Sequence, residues 1–165
     1  MSAGSGKGGK IVHQDNDGTC TMSMPDGSEY VGEISKGMAH GTGTFTFPDG
    51  RNVKGTFEKG RPHGKNIELD FPDGRKYIGN YRYGKRHGWG TMYFPNGKKY
   101  EGEWRNDQPD GEGKIINPEG TIDKGTWIKG KKIDPEKKDE AAKLLRGIAL
   151  LAAVVTASVL IYFFW

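Results

Sequence analysis

The stretch that decides the fold is HGWGTMYFPNGKKYEGEW, residues 87–104. Its middle, Asn96-Gly97, is a strong hairpin signal, because a primed two-residue turn needs residues that accept a positive φ. In its second half Tyr100, Gly102 and Trp104 lie two residues apart and therefore share one face of a strand. The charged residues between them point to the other face. The stretch predicts two antiparallel strands with one apolar and one polar face.

The same unit recurs along the chain. The segment YVGEISKGMAHGTG begins at Tyr30, and copies begin at Val53, Tyr77 and Tyr100, 23 or 24 residues apart. A partial copy begins at Gly125. A turn with proline first and glycine last repeats at the same spacing, at residues 25–27, 48–50, 72–74, 95–97 and 118–120. Self-similarity at such a period predicts a repeat architecture.

This pattern, YxGxWxxGxxHGxG followed by a Pro-Asp-Gly turn, resembles the MORN repeat family over roughly residues 10 to 130. Two copies depart from it. The second copy has Val53 for tyrosine, one extra residue, and Asn66 for the second glycine, which predicts a bulge near Asn66–Asp70. The fourth copy has Asp107 for glycine and Pro109-Asp110 for the usual basic-His pair. We expect its loop to differ from the others.

The predicted fold class is an all-β repeat, an elongated antiparallel meander of stacked MORN β-hairpins. A single hairpin cannot bury its apolar face, so neighbouring units must stack. The strand glycines leave room for neighbouring rings to lie flat across the strand. We assign a flexible Gly/Ser/Lys N-terminus to residues 1–10 and the repeat domain to 11–134. Residues 11–27 and 121–134 are expected to cap it.

The composition changes after the repeats. Asp134-Pro135 is a helix start, so residues 135–146 are predicted to form a charged helical linker. Residues 147–165 contain no charged side chain and would span about 28 Å as a helix, close to a hydrocarbon core. They predict one C-terminal transmembrane helix; the alternative is a helix packed into a partner protein. The anchor residues are Arg146, Leu150, Leu151, Val154, Val155, Leu160, Ile161, Phe163, Phe164 and Trp165.

Lysines and arginines precede this segment and none follows it. Positive-inside logic therefore places the repeats on the cytosolic, matrix or stromal side of an organelle membrane. The chain resembles a single-pass, tail-anchored protein. The N-terminus lacks the apolar run of a secretory signal. The missing signal and the pI of about 9.0 favour the mitochondrion as the organelle.

Several classes of chemistry are disfavoured. Residues 11–134 mix acidic and basic residues almost equally, with no basic block suited to nucleic acid. His40, His63 and His87 recur once per repeat, so neighbours would lie about 10 Å apart, too far to share one metal ion. A Ser/His/Asp triad is compatible with the composition, but nothing positions one. We predict no catalytic residues, metal or cofactor, and no enzyme.

Two surfaces remain as candidates. The first is an aromatic face for partner proteins, which we expect mainly to pack and to be partly exposed: Tyr30, Tyr77, Tyr81, Tyr100, Trp104 and Trp127. The second is a basic rim for anionic lipid headgroups: Lys59, Arg61, Arg82, Lys85, Arg86, Lys98 and Lys99.

The leading functional hypothesis is a membrane-anchored, non-catalytic scaffold or accessory subunit that docks the protein subunits of a larger membrane complex. The alternative is a tether whose repeats bind anionic phospholipid of an apposed membrane, because MORN repeats combined with a C-terminal span look like junctophilins. A third hypothesis is a regulatory module for an enzyme on another chain, since MORN repeats sit beside kinase or methyltransferase domains elsewhere.

Overall fold

The computed structural model describes residues 9–16 and 18–133. These residues form thirteen β-strands and no helix. The strands are β1 Lys10–Gln14, β2 Cys20–Ser23, β3 Glu29–Ser35, β4 Met38–Thr46, β5 Asn52–Glu58, β6 Arg61–Pro62, β7 Gly64–Asp70, β8 Lys76–Arg82, β9 Lys85–Tyr93, β10 Lys99–Arg105, β11 Gln108–Ile116, β12 Ile122–Ile128 and β13 Lys131–Ile133. The all-β prediction is confirmed for this part of the chain.

The strands form an antiparallel meander. Each strand from β1 to β12 pairs with the next along the chain, except that the two-residue β6 lies beside β5 and β7 takes its place in the order. Successive turns alternate between two edges. We call the edge with residues 25–27, 48–50, 72–74, 95–97 and 118–120 the proline edge, and the edge with 36–37, 59–60, 83–84, 106–107 and 129–130 the primed edge.

The turn chemistry at the proline edge differs from the prediction. Gly97 has a φ of 80°, but Asn96 is not among the residues with positive φ. The Gly97 N–H donates to the Phe94 carbonyl at 3.0 Å, and the Phe94 N–H donates to the Lys98 carbonyl at 2.9 Å. This is a type I turn completed by a glycine in the left-handed region. The hairpin is confirmed, whereas the primed turn at Asn96-Gly97 is wrong, because Pro95 fixes the first turn position at a negative φ.

Primed turns lie at the opposite edge instead. Tyr83 and Gly84 have φ values of 51° and 82°, which is the type I′ pattern of two consecutive positive angles. The fourth copy repeats it with Asn106 at 50° and Asp107 at 72°. The expected loop difference is therefore wrong for the backbone, because Asn and Asp tolerate the left-handed region better than other side chains.

The bulge in the second copy is confirmed. The β7–β8 register shifts between Gly64 and Ile67, and Asn66 lies there with a φ of 54°. Asn66 is thus the extra residue and does not take the place of the repeat's second glycine. Ile67 takes that place, since it pairs with Gly79 just as Gly90 of the next copy pairs with Gly102.

The core lies on one face of the sheet, which we call the apolar face. Its buried side chains run from Met22 to Trp127. Tyrosine rings cover pairs of facing glycines: a Cβ added to Gly90 would lie 2.6 Å from Tyr77 Cε2, and one added to Gly113 would lie 2.8 Å from Tyr100 Cε2. The prediction that rings lie flat over strand glycines is confirmed. Ring pairs then link repeats, such as Tyr77 with Trp104 at 5.1 Å between centroids.

The predictions for the charged linker, residues 135–146, and for the transmembrane helix, residues 147–165, lie outside the described residues. Within residues 9–16 and 18–133, the structure contains no helical segment with the length and apolarity needed to cross a membrane.

Candidate interaction surfaces

The six residues of the predicted aromatic face are all buried. Their exposed fractions are 0% for Tyr30 and Tyr77 and 5% for the other four. The packing role is confirmed, and the expected partial exposure is wrong. The reason is that these rings pack against other rings, either of a neighbouring repeat, as Tyr100 does with Trp127 at 4.9 Å, or of the same repeat, as Tyr81 does with Tyr77 at 5.6 Å. A docking role for these six residues stays a prediction.

The tyrosine hydroxyls of this face are used inside the sheet. The Tyr30 hydroxyl has a single hydrogen to donate, and the Glu33 and His40 carbonyls lie within hydrogen-bond distance of it, at 2.9 and 3.0 Å. The Tyr77 hydroxyl donates to the Asn80 carbonyl at 3.1 Å. Burial raises the pKa of Tyr30 and of Tyr100 to about 12. These groups therefore stay protonated at neutral pH and satisfy carbonyls near the primed edge.

The seven residues of the predicted basic rim do not share an edge. Lys59, Arg61, Arg82 and Lys85 flank turns of the primed edge and are exposed, whereas Lys98 and Lys99 flank a proline-edge turn. The assumption of a single rim is wrong, because consecutive turns of a meander fall on opposite edges. Lys99 is also committed to Glu101, with 3.3 Å between nitrogen and carboxylate oxygen.

Arg86 belongs to the interior. Its guanidinium carbon lies 4.5 Å from the centre of the Trp104 ring. The Arg86 backbone N–H donates to Asp107 Oδ1 at 3.0 Å, and its Nη2 donates to the Asp107 carbonyl at 2.8 Å. The aspartate that departs from the repeat pattern thus joins the third and fourth repeats through an arginine whose side chain is 16% exposed.

A first groove lies on the apolar face and has a volume of about 410 Å³. Val53, Leu69 and Phe71 contribute apolar lining. Two arginines of the proline edge reach it. Arg51 and Arg75 lie 4.6 Å above the rings of Phe47 and Phe71. They pair with Asp49 and Asp73 at 2.7 and 2.8 Å.

The charges of this first groove are internally matched. The Arg51 and Arg75 backbone N–H groups donate to Asp49 and Asp73, which lowers the pKa of each carboxyl. With Arg86 paired to Asp107, each of the groove's three arginines has a carboxylate partner. The groove therefore presents little net charge.

A second groove, which we call the turn groove, lies at the primed edge and has a volume of about 530 Å³. It crosses three consecutive primed turns, and its lining includes Lys36, Met38, His40, Lys59, Arg61 and Tyr83. Tyr83 is 60% exposed. The backbone N–H of Tyr83 donates to His63 Nδ1 at 3.4 Å, and the ring centres of Tyr83 and His63 lie 5.2 Å apart. An exposed aromatic side chain is thus held in place among cations.

A third groove lies on the polar face, with a volume of about 410 Å³. Trp89 and Tyr93 stand beside it and are 59% and 39% exposed. Its charged members pair with one another, with Lys114 Nζ 2.8 Å from Glu101 Oε2. The Lys114 hydrogen bond lowers the pKa of Glu101.

The sequence analysis did not identify the exposed aromatic and basic residues that line these grooves. Trp89 alternates with Gly88 and Gly90 and so points away from the Tyr-Gly-Trp face, which is a signal available from the sequence. Lys36, Lys59 and Tyr83 occupy the same first position of three successive primed turns, and the repeat alignment contains that signal too. Within the part of the chain that the structure describes, no three His, Cys, Asp or Glu side chains gather where they could hold a metal ion.

Comparison with known protein families identifies the repeat. The MORN repeat family model matches residues 30–50, 54–65, 77–99 and 100–122. MORN repeats are thus found in four segments, which correspond to the four copies predicted from the sequence. The shortest match begins after Val53 and ends before Asn66, the two positions at which the second copy departs from the pattern. No curated protein matches the chain.

Proposed function

We propose that this MORN-repeat chain is a non-catalytic, membrane-anchored scaffold or accessory subunit that docks protein subunits of a larger membrane complex. The MORN repeat is a non-enzymatic module that is often involved in protein or membrane-lipid interactions. The observation that carries the proposal is the division of the aromatic residues into two sets. One set is buried by packing within the sheet, and Tyr83, Trp89 and Tyr93 are exposed.

The exposed aromatic residues lie in settings typical of interfaces. Tyrosine and tryptophan are enriched where proteins dock, because they bury a large area at a low entropic cost. Tyr83 lies at the primed edge, and Trp89 and Tyr93 lie on the polar face, so two different surfaces of one chain are available. Two docking surfaces on one sheet suit a subunit that lies between others.

The membrane part of the proposal comes from the uncharged segment 147–165. A segment of this length and composition matches a single transmembrane helix. It would hold the repeats close to the bilayer surface, where other subunits of a membrane complex lie.

Purification of the full chain from its native membrane in a mild detergent tests the proposal. We expect other proteins to co-purify in fixed ratio, and Trp89→Ala or Tyr83→Ala to reduce their recovery. Tyr100→Phe, a buried and conservative change, is the matched control. A monodisperse single-chain species without co-purifying proteins would contradict the proposal.

The second candidate function is a tether to anionic phospholipid of an apposed membrane. It is supported by Lys59, Arg61, Arg82 and Lys85, which are exposed along one edge. The test is to reconstitute the full chain in neutral vesicles and mix them with anionic or neutral acceptor vesicles at physiological salt. Clustering of the anionic acceptors alone supports the tether, and no clustering of either kind removes it.

A further inference from the structure

We propose that the turn groove binds an acidic, proline-containing segment of a partner protein in the polyproline II conformation, with an acidic residue at every third position. This inference rests on the proposed scaffold function and names the chemistry of one partner. Four features of the groove carry it: its charge, its exposed aromatic ring, its periodicity and its position at an edge where turns, and not strands, face the solvent.

The charge of the groove is unbalanced. Lys36, Lys59 and Arg61 line it, against one carboxylate, that of Glu58. Glu58 is shared between Lys59 at 3.7 Å and His63 at 3.8 Å. Among residues 9–16 and 18–133, no carboxylate lies within ion-pair distance of Lys36 or Arg61. The first groove differs in this respect, because each of its arginines is paired. The turn groove is therefore complementary to a partner that supplies carboxylates.

The cations and the ring form a regular row. Lys36, Lys59 and Tyr83 each occupy the first position of a primed turn, with φ values of 52°, 51° and 51°. Consecutive primed turns belong to consecutive repeats and lie two strands apart, or about 10 Å. The row thus presents two ammonium groups and then an aromatic ring at a spacing of about 10 Å along the edge.

A polyproline II helix matches this spacing. It has three residues per turn and rises about 3.1 Å per residue, so every third side chain lies on one face about 9.3 Å from the last. Carboxylates at two such positions would meet Lys36 and Lys59, and the prolines on either side of the third acidic residue would contact the Tyr83 ring. An aromatic side chain in a groove is also the usual contact of proline-rich segments. An acidic α-helix has no comparable match, since its turns repeat about every 5.4 Å.

The test uses the full chain in a neutral detergent and fluorescein-labelled peptides, with anisotropy as the readout at about 150 mM salt. The probe is the peptide EPPEPPEPP. A second peptide, EEEPPPPPP, has the same composition with its acids grouped, and a third, QPPQPPQPP, has the spacing without the charge. We expect the first to bind, the second to bind at least about fivefold more weakly, and the third not to bind.

Variants locate the site. The double change Lys36→Glu and Lys59→Glu should weaken binding by more than about tenfold, and Tyr83→Ala by about tenfold. The matched control reverses two exposed lysines outside the groove, Lys98→Glu and Lys124→Glu, and should change binding by less than about twofold. Circular dichroism shows whether each variant keeps its sheet. Tyr83→Phe keeps the ring and should bind like the unmodified chain.

Each result decides the matter. Equal binding of the grouped and spaced peptides, or equal loss in both double variants, overturns the inference. If vesicles with about a third anionic lipid bind through Lys36 and Lys59 while none of the peptides does, the groove is a lipid site and the inference fails. Co-purification from native membranes distinguishes this inference from the proposed scaffold function. If other proteins still co-purify with the Lys36→Glu, Lys59→Glu variant, the scaffold function is retained even where the peptide tests fail. If no other protein co-purifies with the unmodified chain, the scaffold function is contradicted.

Discussion

Ile67 occupies, next to Gly55, the space that a tyrosine ring occupies in the other repeats. A Cβ added to Gly55 would lie 2.9 Å from Ile67 Cγ1. In the third and fourth repeats the corresponding neighbours are the rings of Tyr77 and Tyr100. The second repeat has Val53 in place of the tyrosine and Ile67 in place of a glycine. The larger aliphatic side chain of this pair thus lies where the other repeats have a glycine, and the smaller one lies where they have a tyrosine.

The exchange predicts a compensating pair. Val53→Tyr alone should overfill the site and cost about 1–3 kcal/mol, and Ile67→Gly alone should leave a cavity and cost about 3–5 kcal/mol. The double variant should be more stable than the sum of the two losses by at least about 2 kcal/mol. Urea unfolding of the full chain in mild detergent, followed by tryptophan fluorescence, measures all three. Additive losses would show that the ring does not enter the vacated space.

Arg86 and Arg82 form a matched pair for testing the contact between the third and fourth repeats. Arg86→Ala removes the partner of Asp107 and the stacking on Trp104, and should lower the free energy of unfolding by about 2–4 kcal/mol. Arg82→Ala removes an exposed side chain 5.6 Å from the Tyr83 ring and should change it by less than about 0.5 kcal/mol. Similar losses for both variants in urea unfolding would contradict the interior role of Arg86.

The proline-edge turn at residues 95–97 can be improved by copying those at residues 48–50 and 72–74. Phe47 is 8% exposed and lies beneath the guanidinium of Arg51, four residues further on. Phe94 is 38% exposed, and the residue four positions after it is Lys98. Asn96→Asp with Lys98→Arg recreates the Pro-Asp-Gly-Arg turn of residues 48–51 and 72–75. We expect a gain of about 0.5–1 kcal/mol from the stacked, paired guanidinium. Lys98→Arg alone should gain less, since its carboxylate partner is missing, and a gain as large as that of the pair would refute this account.

Stability should fall at alkaline pH. An unfolded tyrosine titrates near pH 10, whereas burial raises the pKa of Tyr30 and Tyr100 to about 12 and raises that of Tyr77 and Tyr81 as well. Between these values the unfolded chain releases phenolic protons that the folded chain keeps. The contribution of each such tyrosine to the free energy of unfolding is fully present below about pH 10. Above that pH it is lost by about 1 kcal/mol per pH unit.

Urea unfolding at a series of pH values from neutral to strongly alkaline measures this loss. Tyr100→Phe removes one titrating group and should make the alkaline decline shallower, although it also removes the hydrogen bond to the Glu103 carbonyl at 3.2 Å. An unchanged slope would contradict the assignment.

Much of the sheet was predictable because the spacing of residues within the repeat indicates where strands and turns lie and which face is apolar. The two-residue spacing of Tyr100, Gly102 and Trp104 identified the apolar face, and the glycines identified where rings lie. The extra residue in the second copy identified the bulge. The turn types were not predictable from Asn96-Gly97 alone, because Pro95 outweighs the local preference of that dipeptide for a primed turn. The prediction of a single basic rim was wrong because the positions of basic residues along the sequence do not indicate at which edge of the sheet each turn lies.

The amino-acid sequence by itself determined the repeat, its strands, its apolar face and the uncharged segment 147–165, because each depends on spacing along the chain. Only the tertiary structure decided which aromatics remain available: Trp104 is 5% exposed and Trp89 is 59% exposed. It also decided that Lys36, Lys59 and Tyr83 line one groove. Exposure and proximity depend on how neighbouring repeats stack, and that is a property of the assembled sheet.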